Sequence, residues 1–291
     1  MKQKRDIKKV LLIAGAERNK GRFFIDEVTD FFREAGKEYS LYRVNGKPSG
    51  QLNKPKDLNG VDLVVSLGGD GTLLYCARIL AGKNIPILAV NLGDFGFITE
   101  ISKAEWKDAY YKYIENRLEI SSRMMLEVCV QRKGKPLSCY LGLNDGVIGT
   151  GGISRIIRLK VYITGTYVGR YRADGVIVAT PTGSTAYSVA AGGPILHPEM
   201  EALILNPICP FTLSNRPIVF PGKEIMEIEV EEPQRTDVIL SIDGQDSFRL
   251  LPGDRIVFKK SDKKTFIIQS DKRNFYEVLR TKLNWAGEPN A

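Results

Sequence analysis

Residues 68–72, Gly-Gly-Asp-Gly-Thr, have the composition of a loop that handles phosphate. They follow the apolar run 61–67 and precede a helical pattern, so backbone amides at the start of that helix would favour an anion. A carboxylate repels phosphate, so Asp70 would need a separate role: holding a metal ion or accepting a proton from an attacking hydroxyl. The alternative is a turn or a helix cap, because Asp-Gly pairs are common in turns.

A second candidate segment covers residues 180–187, Thr-Pro-Thr-Gly-Ser-Thr-Ala-Tyr, after the apolar run 176–179. Its hydroxyl groups could bind ribose, adenine or phosphate, and its small residues leave room for a flat ring. The alternative is an elaborate loop that enters a short helix. Ser184 and His197 could suggest a hydrolase, but the residues around Ser184 do not form the Gly-x-Ser-x-Gly pattern of a nucleophile elbow.

Three acidic turns complete the set of candidates: Asn144-Asp145-Gly146, Ala173-Asp174-Gly175 and Asp243-Gly244-Gln245. A hairpin turn explains each of them. In the functional interpretation, paired oxygens hold ribose hydroxyls while a nearby arginine, such as Arg172, supports a phosphate. Neither a Walker A loop nor a GxGxxG segment after a strand is present, so the two standard nucleotide-binding motifs are not supported.

The elements that would position these residues fall into two groups. Up to about residue 120, apolar strands alternate with helical patterns, which predicts a parallel sheet with helical crossovers. The predicted strands are 10–15, 41–44, 61–67 and 85–91, and the predicted helices are 20–35, 72–81 and 106–114.

Beyond residue 120 the pattern changes to short runs rich in Val, Ile, Thr and Tyr, separated by turn residues at intervals of roughly ten. This spacing predicts an all-β domain. The predicted strands are 124–132, 137–148, 156–163, 166–171, 175–180, 225–231, 237–243 and 255–258. Helical spacing returns at 275–285.

Composition restricts the class of protein. Hydrophobic residues make up 43% and charged residues 26%, a soluble globular balance, and the net charge of +8 suits anionic partners such as nucleotides. The single histidine excludes a multi-histidine metal site. The four cysteines show no CxxC pair, and we expect buried thiols in a reducing cytoplasm; they are Cys76, Cys129, Cys139 and Cys209. No apolar run approaches the ~20 residues that span a bilayer.

Together, the motifs resemble the NAD kinase family over nearly the whole chain. Besides the segments above, the similar stretches are Asn91-Leu92-Gly93, Gly96-Phe97, 188–194 and 213–217. The resemblance implies ATP-dependent phosphorylation of the adenosine ribose 2′-hydroxyl of NAD, giving NADP. It also implies an α/β N-terminal domain with a parallel sheet (1–120), an all-β, NAD-binding C-terminal domain (121–270), and a C-terminal helical segment (271–291) that packs back on the first domain.

The resemblance also implies roles for individual residues. Asp70 would be the catalytic acid–base residue, and the phosphate loop would comprise Gly68, Gly69, Gly71 and Thr72. The residues implied to bind NAD are Asp70, Gly71, Phe97, Asn144, Asp145, Arg155, Arg172, Asp174, Thr185, Ala186, Tyr187, Ser188, Ala190 and Gln245. Asp145 stands where glutamate is usual in the family, and Arg172 matches members that prefer NAD over NADH.

The family further implies Mg²⁺ carried by ATP, with no dedicated metal ligands in the chain. We expect a cytoplasmic homodimer or homotetramer that uses NAD and ATP and binds neither nucleic acid nor membrane. Two other functions stay open at this point. A lipid kinase could share the glycine–aspartate loop, and a catalytically silent protein could sense dinucleotides.

Overall fold

A computed structural model describes residues 4–15, 21–44, 55, 57–93, 96–152, 156–212, 215–234 and 236–284. These residues form two compact units. The first unit contains the described residues up to 122 and those from 265 onward, and the second contains the described residues of 123–264. The chain passes from one unit to the other within two long strands.

The elements up to residue 114 are β1 (Lys9–Ala14), α1 (Arg22–Glu34), β2 (Glu38–Arg43), β3 (Leu63–Gly68), α2 (Asp70–Leu80), β4 (Pro86–Asn91), β5 (Ile101–Ser102) and α3 (Trp106–Ile114). Those that follow are β6 (Ile120–Arg132), β7 (Lys135–Gly142), β8 (Asp145–Thr150), β9 (Ile157–Ile163), β10 (Thr166–Ala173), β11 (Gly175–Ala179), a 3₁₀ turn (Thr182–Thr185), α4 (Tyr187–Ala190), β12 (Ala202–Ile208), β13 (Ile218–Pro221), β14 (Met226–Val230), β15 (Val238–Ile242), β16 (Asp246–Leu250), β17 (Arg255–Ile268) and α5 (Phe275–Leu283).

The first unit is built on parallel strands in the order β2-β1-β3-β4. Every residue of β3 is buried, as expected for a parallel strand covered on both faces. Helix α1 buries Phe24, Ile25, Val28 and Phe32 along one face, and Trp106 of α3 packs edge-on to Phe31. The predicted α/β arrangement is confirmed.

Two strand ends of this sheet position the glycine–aspartate loop. β3 ends at Gly68 directly beside Asn91, the last residue of β4, and α2 begins only two residues later at Asp70. Ligands of open α/β sheets bind at the carboxyl ends of the strands. The loop therefore lies at the edge of the sheet where such ligands bind.

The second unit is all-β apart from a 3₁₀ turn and the short α4, as predicted. One sheet has the order β13-β12-β11-β8-β15-β16 and is antiparallel throughout. Antiparallel pairing also joins β10, β9, β14 and β17, and joins β6 to β7. Strands from both groups enclose an apolar core that includes Val128, Ile148, Leu205, Ile228 and Phe258.

The last described part of the chain, residues 265–284, returns to the first unit, as the family resemblance implied. The last residues of β17 pair in parallel with β4, and the Arg273 guanidinium donates two hydrogen bonds to the Glu105 carboxylate, at 2.9 and 3.0 Å. Arg273 thereby lowers the pKa of Glu105 to about 2. Asn274 then starts α5 with a capping box completed by Glu277.

The strand prediction was incomplete in the second unit. The run 137–148 is two strands, β7 and β8, because the chain turns at Leu143-Asn144. Strand β12 was not predicted, and it contains Pro207, which removes a hydrogen-bond donor. The structure tolerates this proline because β13 pairs only with residues 202–205 of β12, so Pro207 has a strand neighbour on the β11 side alone.

The expectation of four buried thiols is wrong. Cys129 and Cys139 form a disulfide, Cys209 is exposed, and Cys76 alone is a buried thiol. The disulfide joins directly opposite residues of the β6–β7 hairpin, whose Cα atoms are 4.1 Å apart. Short sequence spacings do not reveal such a pair, because the register of the hairpin brings the two residues together.

These environments predict how the native protein reacts with a thiol reagent such as Ellman's reagent. Cys209 should react because it is exposed, whereas burial raises the pKa of Cys76 to about 12 and keeps its thiolate scarce. We expect a single reactive thiol, lost in Cys209→Ser, and two more after mild reduction of the disulfide. Modification of Cys76 in the folded protein would contradict this assignment.

Candidate active site

The Asp70 carboxylate connects the glycine–aspartate loop to the segment that follows β4. Its Oδ1 accepts hydrogen bonds from Ile98 N (3.4 Å), Thr99 N (3.1 Å) and Thr99 Oγ1 (2.8 Å), and its Oδ2 accepts one from Phe97 N (3.0 Å). Asp70 does not cap its own helix, whose N-cap is Gly69 without a side-chain hydrogen bond. The helix-cap alternative therefore does not describe Asp70, whose carboxylate instead stabilises the 97–99 segment.

The contact with Asp70 explains why glycine stands at position 96, before Phe97. A Cβ at Gly96 would overlap the Asp70 carboxylate, so the close approach requires glycine. Phe97 is half-buried beside Asp70. Within the glycine–aspartate loop, Thr72 N donates a hydrogen bond to Gly69 O at 3.0 Å. Gly71 of the same loop is exposed.

Sequence reasoning missed Thr99 and the role of Asn91. Thr99 is fully buried and contributes two of the donors to Asp70. Asn91 Nδ2 donates to Thr99 Oγ1 at 2.9 Å, and Asn91 Oδ1 accepts from Gly93 N at 2.8 Å. A polar residue that ends a fully apolar strand was the available signal. The two strand ends are thus joined through Asn91, Thr99 and Asp70.

In the second unit, the 180–183 segment packs against the chain at Leu143-Asn144. Thr180 Oγ1 donates to Leu143 O (2.6 Å) and Thr180 N donates to Asn144 O (2.8 Å). Thr180 Oγ1 also accepts from Gly183 N (3.1 Å). A Cβ at Gly183 would overlap the Asn144 carbonyl group and lie 2.6 Å from its Cα. The structure thus brings two of the predicted motifs together.

Two buried side-chain oxygens at this junction have no hydrogen-bond partner among the described residues. They are Asn144 Oδ1 and Thr182 Oγ1. Buried polar atoms are normally paired, so each exception needs an explanation, of which a ligand, a water or an ion is one. Both atoms belong to segments that the sequence had marked as candidate binding segments.

The neighbouring hydroxyl groups are engaged within the protein. Ser184 Oγ donates to Pro181 O (2.7 Å) and accepts from Leu196 N (3.0 Å), which argues against a nucleophilic serine. Thr185 Oγ1 donates to Thr182 O at 3.4 Å. Ser188 is buried, and its Oγ accepts from Asn206 Nδ2 at 3.4 Å. Their hydroxyl groups shape the segment.

The other predicted binding residues lie nearer the surface. Tyr187 and Ala190, at the two ends of α4, are exposed, and Ala186 is half-buried. Asp174 and Gln245 are also half-buried. Arg172 is exposed and its guanidinium lies 4.7 Å from the centroid of the Phe211 ring, a cation–π contact. Arg155 lies outside the described residues.

Asp145 has the most perturbed carboxylate of the set. It is 5% exposed, and burial together with the nearby Asp243 carboxylate raises its pKa to about 7. Burial disfavours the charged form, and a like charge adds to the effect. Asp243 in turn accepts hydrogen bonds from the amides of Leu143 (2.8 Å), Asn144 (2.8 Å) and Asp145 (3.1 Å).

The raised pKa of Asp145 predicts a pH-dependent stability. An unfolded aspartate titrates near ~3.9, so between about pH 4 and pH 7 the folded state keeps a proton that the unfolded state has lost. As the pH rises from about 4 to about 7, the free energy of unfolding of the wild type should therefore fall by up to about 4 kcal/mol relative to that of Asp145→Asn. Denaturant titrations of both proteins across this range measure the difference. A difference that stays constant with pH would contradict the assignment.

Two negative findings concern the part of the chain that the structure describes. No group of three or more His, Cys, Asp or Glu side chains there is placed to hold a metal ion. No described helix is long and apolar enough to cross a membrane.

Comparison with known proteins identifies the family. The family model of the ATP-NAD kinase N-terminal domain matches residues 41–118, and the model of the ATP-NAD kinase C-terminal domain matches residues 143–270. The NAD kinase of Treponema denticola is 40% identical over 282 residues, 97% of this chain and 98% of the relative. The NAD kinase of Geotalea daltonii is 45% identical over 224 residues, 77% of this chain and 78% of the relative.

Two solved structures have the same fold. A yeast NADH kinase complexed with NADH superimposes with a TM-score of 0.86 and 25% identity, covering 98% of this chain and 89% of that one. An NAD kinase from Archaeoglobus fulgidus in complex with ATP superimposes with a TM-score of 0.72 and 26% sequence identity. The match covers 94% of this chain and 97% of that one.

The two matched domains define the class of the protein, a kinase that uses ATP as the phosphate donor. The chain belongs to the NAD kinase family, and its reaction is the ATP-dependent phosphorylation of NAD to NADP.

Proposed function

We propose that Asp70 orients the 2′-hydroxyl of the adenosine ribose of NAD and accepts its proton during phosphoryl transfer. Its Oδ1 accepts three hydrogen bonds from described residues, whereas Oδ2 accepts only one, so Oδ2 retains acceptor capacity. Phosphoryl transfer depends mainly on positioning and charge neutralisation, and a carboxylate suffices as the base when the proton leaves late. The fixed position of Asp70 supports this role.

We further propose that the second unit holds NAD. The main support is the pair of buried oxygens without partners, Asn144 Oδ1 and Thr182 Oγ1, which can accept hydrogen bonds from ribose hydroxyls or the adenine amino group. Asp145 is next to Asn144 and offers a carboxylate to the same ribose. The exposed ring of Tyr187 offers a stacking surface for a base.

The first unit would then handle ATP through the phosphate loop of Gly68, Gly69, Gly71 and Thr72, whose backbone lies at the start of α2. A divalent cation, Mg²⁺ by our proposal, would enter bound to the ATP phosphates and neutralise their charge. We assign no residue of the chain to hold it. The proposed domain boundaries stay at 1–120, 121–270 and 271–291.

The test is direct: the purified protein is incubated with ATP, Mg²⁺ and NAD, and NADP is measured with an NADP-specific dehydrogenase. We expect NADP to form. We also expect NAD to be phosphorylated faster than NADH, because Arg172 matches the family members that prefer NAD. Phosphorylation of a diacylglycerol or sphingosine instead would identify a lipid kinase. Binding of NAD without turnover would identify a sensor.

The state of assembly and the location are also proposals. We propose a homodimer or homotetramer in the cytoplasm, where NAD and ATP are both available, without nucleic-acid or membrane partners. Light scattering on the active protein checks the assembly, since an active monomer at assay concentration would rule it out.

A further inference from the structure

The Asp243 carboxylate organises the backbone on which the proposed NAD-binding residues stand. It accepts the three consecutive amides of Leu143, Asn144 and Asp145 at 2.8–3.1 Å, across about a hundred residues of sequence. Asp243 N also donates to Asp145 O at 2.9 Å. Because Thr180 satisfies the carbonyl oxygens of Leu143 and Asn144, this short segment is held from both sides.

A turn alone does not require this carboxylate. Asp243 has φ +51° and Gly244 has φ +64°, a left-handed pair that asparagine or glycine would adopt as readily. The Asp243 side chain is buried, and a buried charge is costly unless hydrogen bonds compensate it. The three amides supply that compensation. The charged group therefore serves the 143–145 segment, and the hairpin turn does not need it.

We propose that Asp243 is a positioning residue for NAD: it fixes the backbone at Asn144 and Asp145 so that their side chains meet the ribose. This role rests on the proposed NAD binding by those two residues. The unpartnered Asn144 Oδ1 fits it, because the backbone groups on either side are already bonded and the side-chain oxygen is left for a ligand.

Asp243 also acts on Asp145 electrostatically. Strand β15 pairs with β8 and ends at Ile242 beside Gly146, so the residue that follows it, Asp243, lies close to Asp145. Its charge helps to raise the pKa of Asp145 to about 7. Removal of that charge should let Asp145 ionise at lower pH.

The test compares Asp243→Asn with Asp237→Asn, a matched change on the same hairpin where the carboxylate is exposed and pairs with Arg249. For Asp243→Asn we expect KM for NAD to rise about 10–100-fold, the effect of losing a charged acceptor for buried amides. KM for ATP should change much less. The acid limb of the pH profile of kcat/KM for NAD should move to lower pH. Asp237→Asn should match the wild type in all three measurements.

A purely structural role predicts a lower melting temperature with KM for NAD and the pH profile unchanged, and that result would overturn the proposal. If Asp243→Asn does not fold, Asp243→Gly suits the positive φ and removes the carboxylate, and the same rise in KM for NAD is required of it. The KM values and pH profiles of the variants are compared with those of a wild-type enzyme that makes NADP. Absence of NADP from the wild type would instead contradict the proposed function.

Discussion

Asp70→Asn is expected to lower kcat by about 10²–10⁴-fold, the usual range for a lost general base. The amide keeps the shape of the side chain but has neither the charge nor the basicity to accept the 2′-hydroxyl proton. Steady-state assays with saturating ATP and NAD measure the loss. Turnover close to that of the wild type would remove Asp70 from proton transfer and leave the loop a positional device.

The contacts of Asp70 require a control for this variant. Asparagine has one acceptor oxygen where aspartate has two, so its amino group would face an N–H donor of the 97–99 segment. Asp70→Asn should therefore also lower the melting temperature. Thr99→Val removes the hydroxyl that donates to Asp70 and accepts from Asn91, yet keeps the charge. If the loss of kcat comes from loosening of the segment, the two variants will share it; if it comes from the base, only Asp70→Asn will show it.

The class of fold could be predicted from the sequence, because it follows from local patterns of apolar and turn residues. The buried strand at β3, the glycine–aspartate loop and the helix after it follow from apolar runs and turn chemistry. Motif similarity also found the segments at Asn144 and Thr180. Their packing against each other could not be read from spacing, because it depends on the register of β8 against β11.

Thr99, which the sequence prediction missed, and Asp243, which it named only as a candidate turn, both act through long-range contacts. Thr99 meets Asp70 from 29 positions away, and Asp243 reaches Asn144 from 99 positions away. Each looks like an ordinary loop or turn residue in the sequence. The same limit produced the error over the cysteines, since Cys129 and Cys139 pair through the register of their hairpin. Local patterns predict elements, and the contacts between elements decide what a side chain does.

Gly183→Ala should impair NAD use without touching any polar side chain. The new Cβ would overlap the Asn144 carbonyl group, so the backbone at Asn144 must move by roughly 1 Å. A displacement of that size in a substrate-positioning group can reduce the rate about 10²-fold, and we expect a loss of that order in kcat/KM for NAD. The overlap should also lower stability by about 1–3 kcal/mol.

Gly152→Ala is the matched control for this substitution, because no atom of the described residues, its chain neighbours aside, lies within 4 Å of the position of its Cβ. It should leave both kcat/KM and stability close to the wild type. If Gly183→Ala reduces stability but kcat/KM for NAD stays at the wild-type level, the Asn144 segment tolerates displacement and does not position the dinucleotide. If both fall together while KM for ATP is retained, the close contact of Gly183 with Asn144 is what sets the geometry of NAD binding in the second unit.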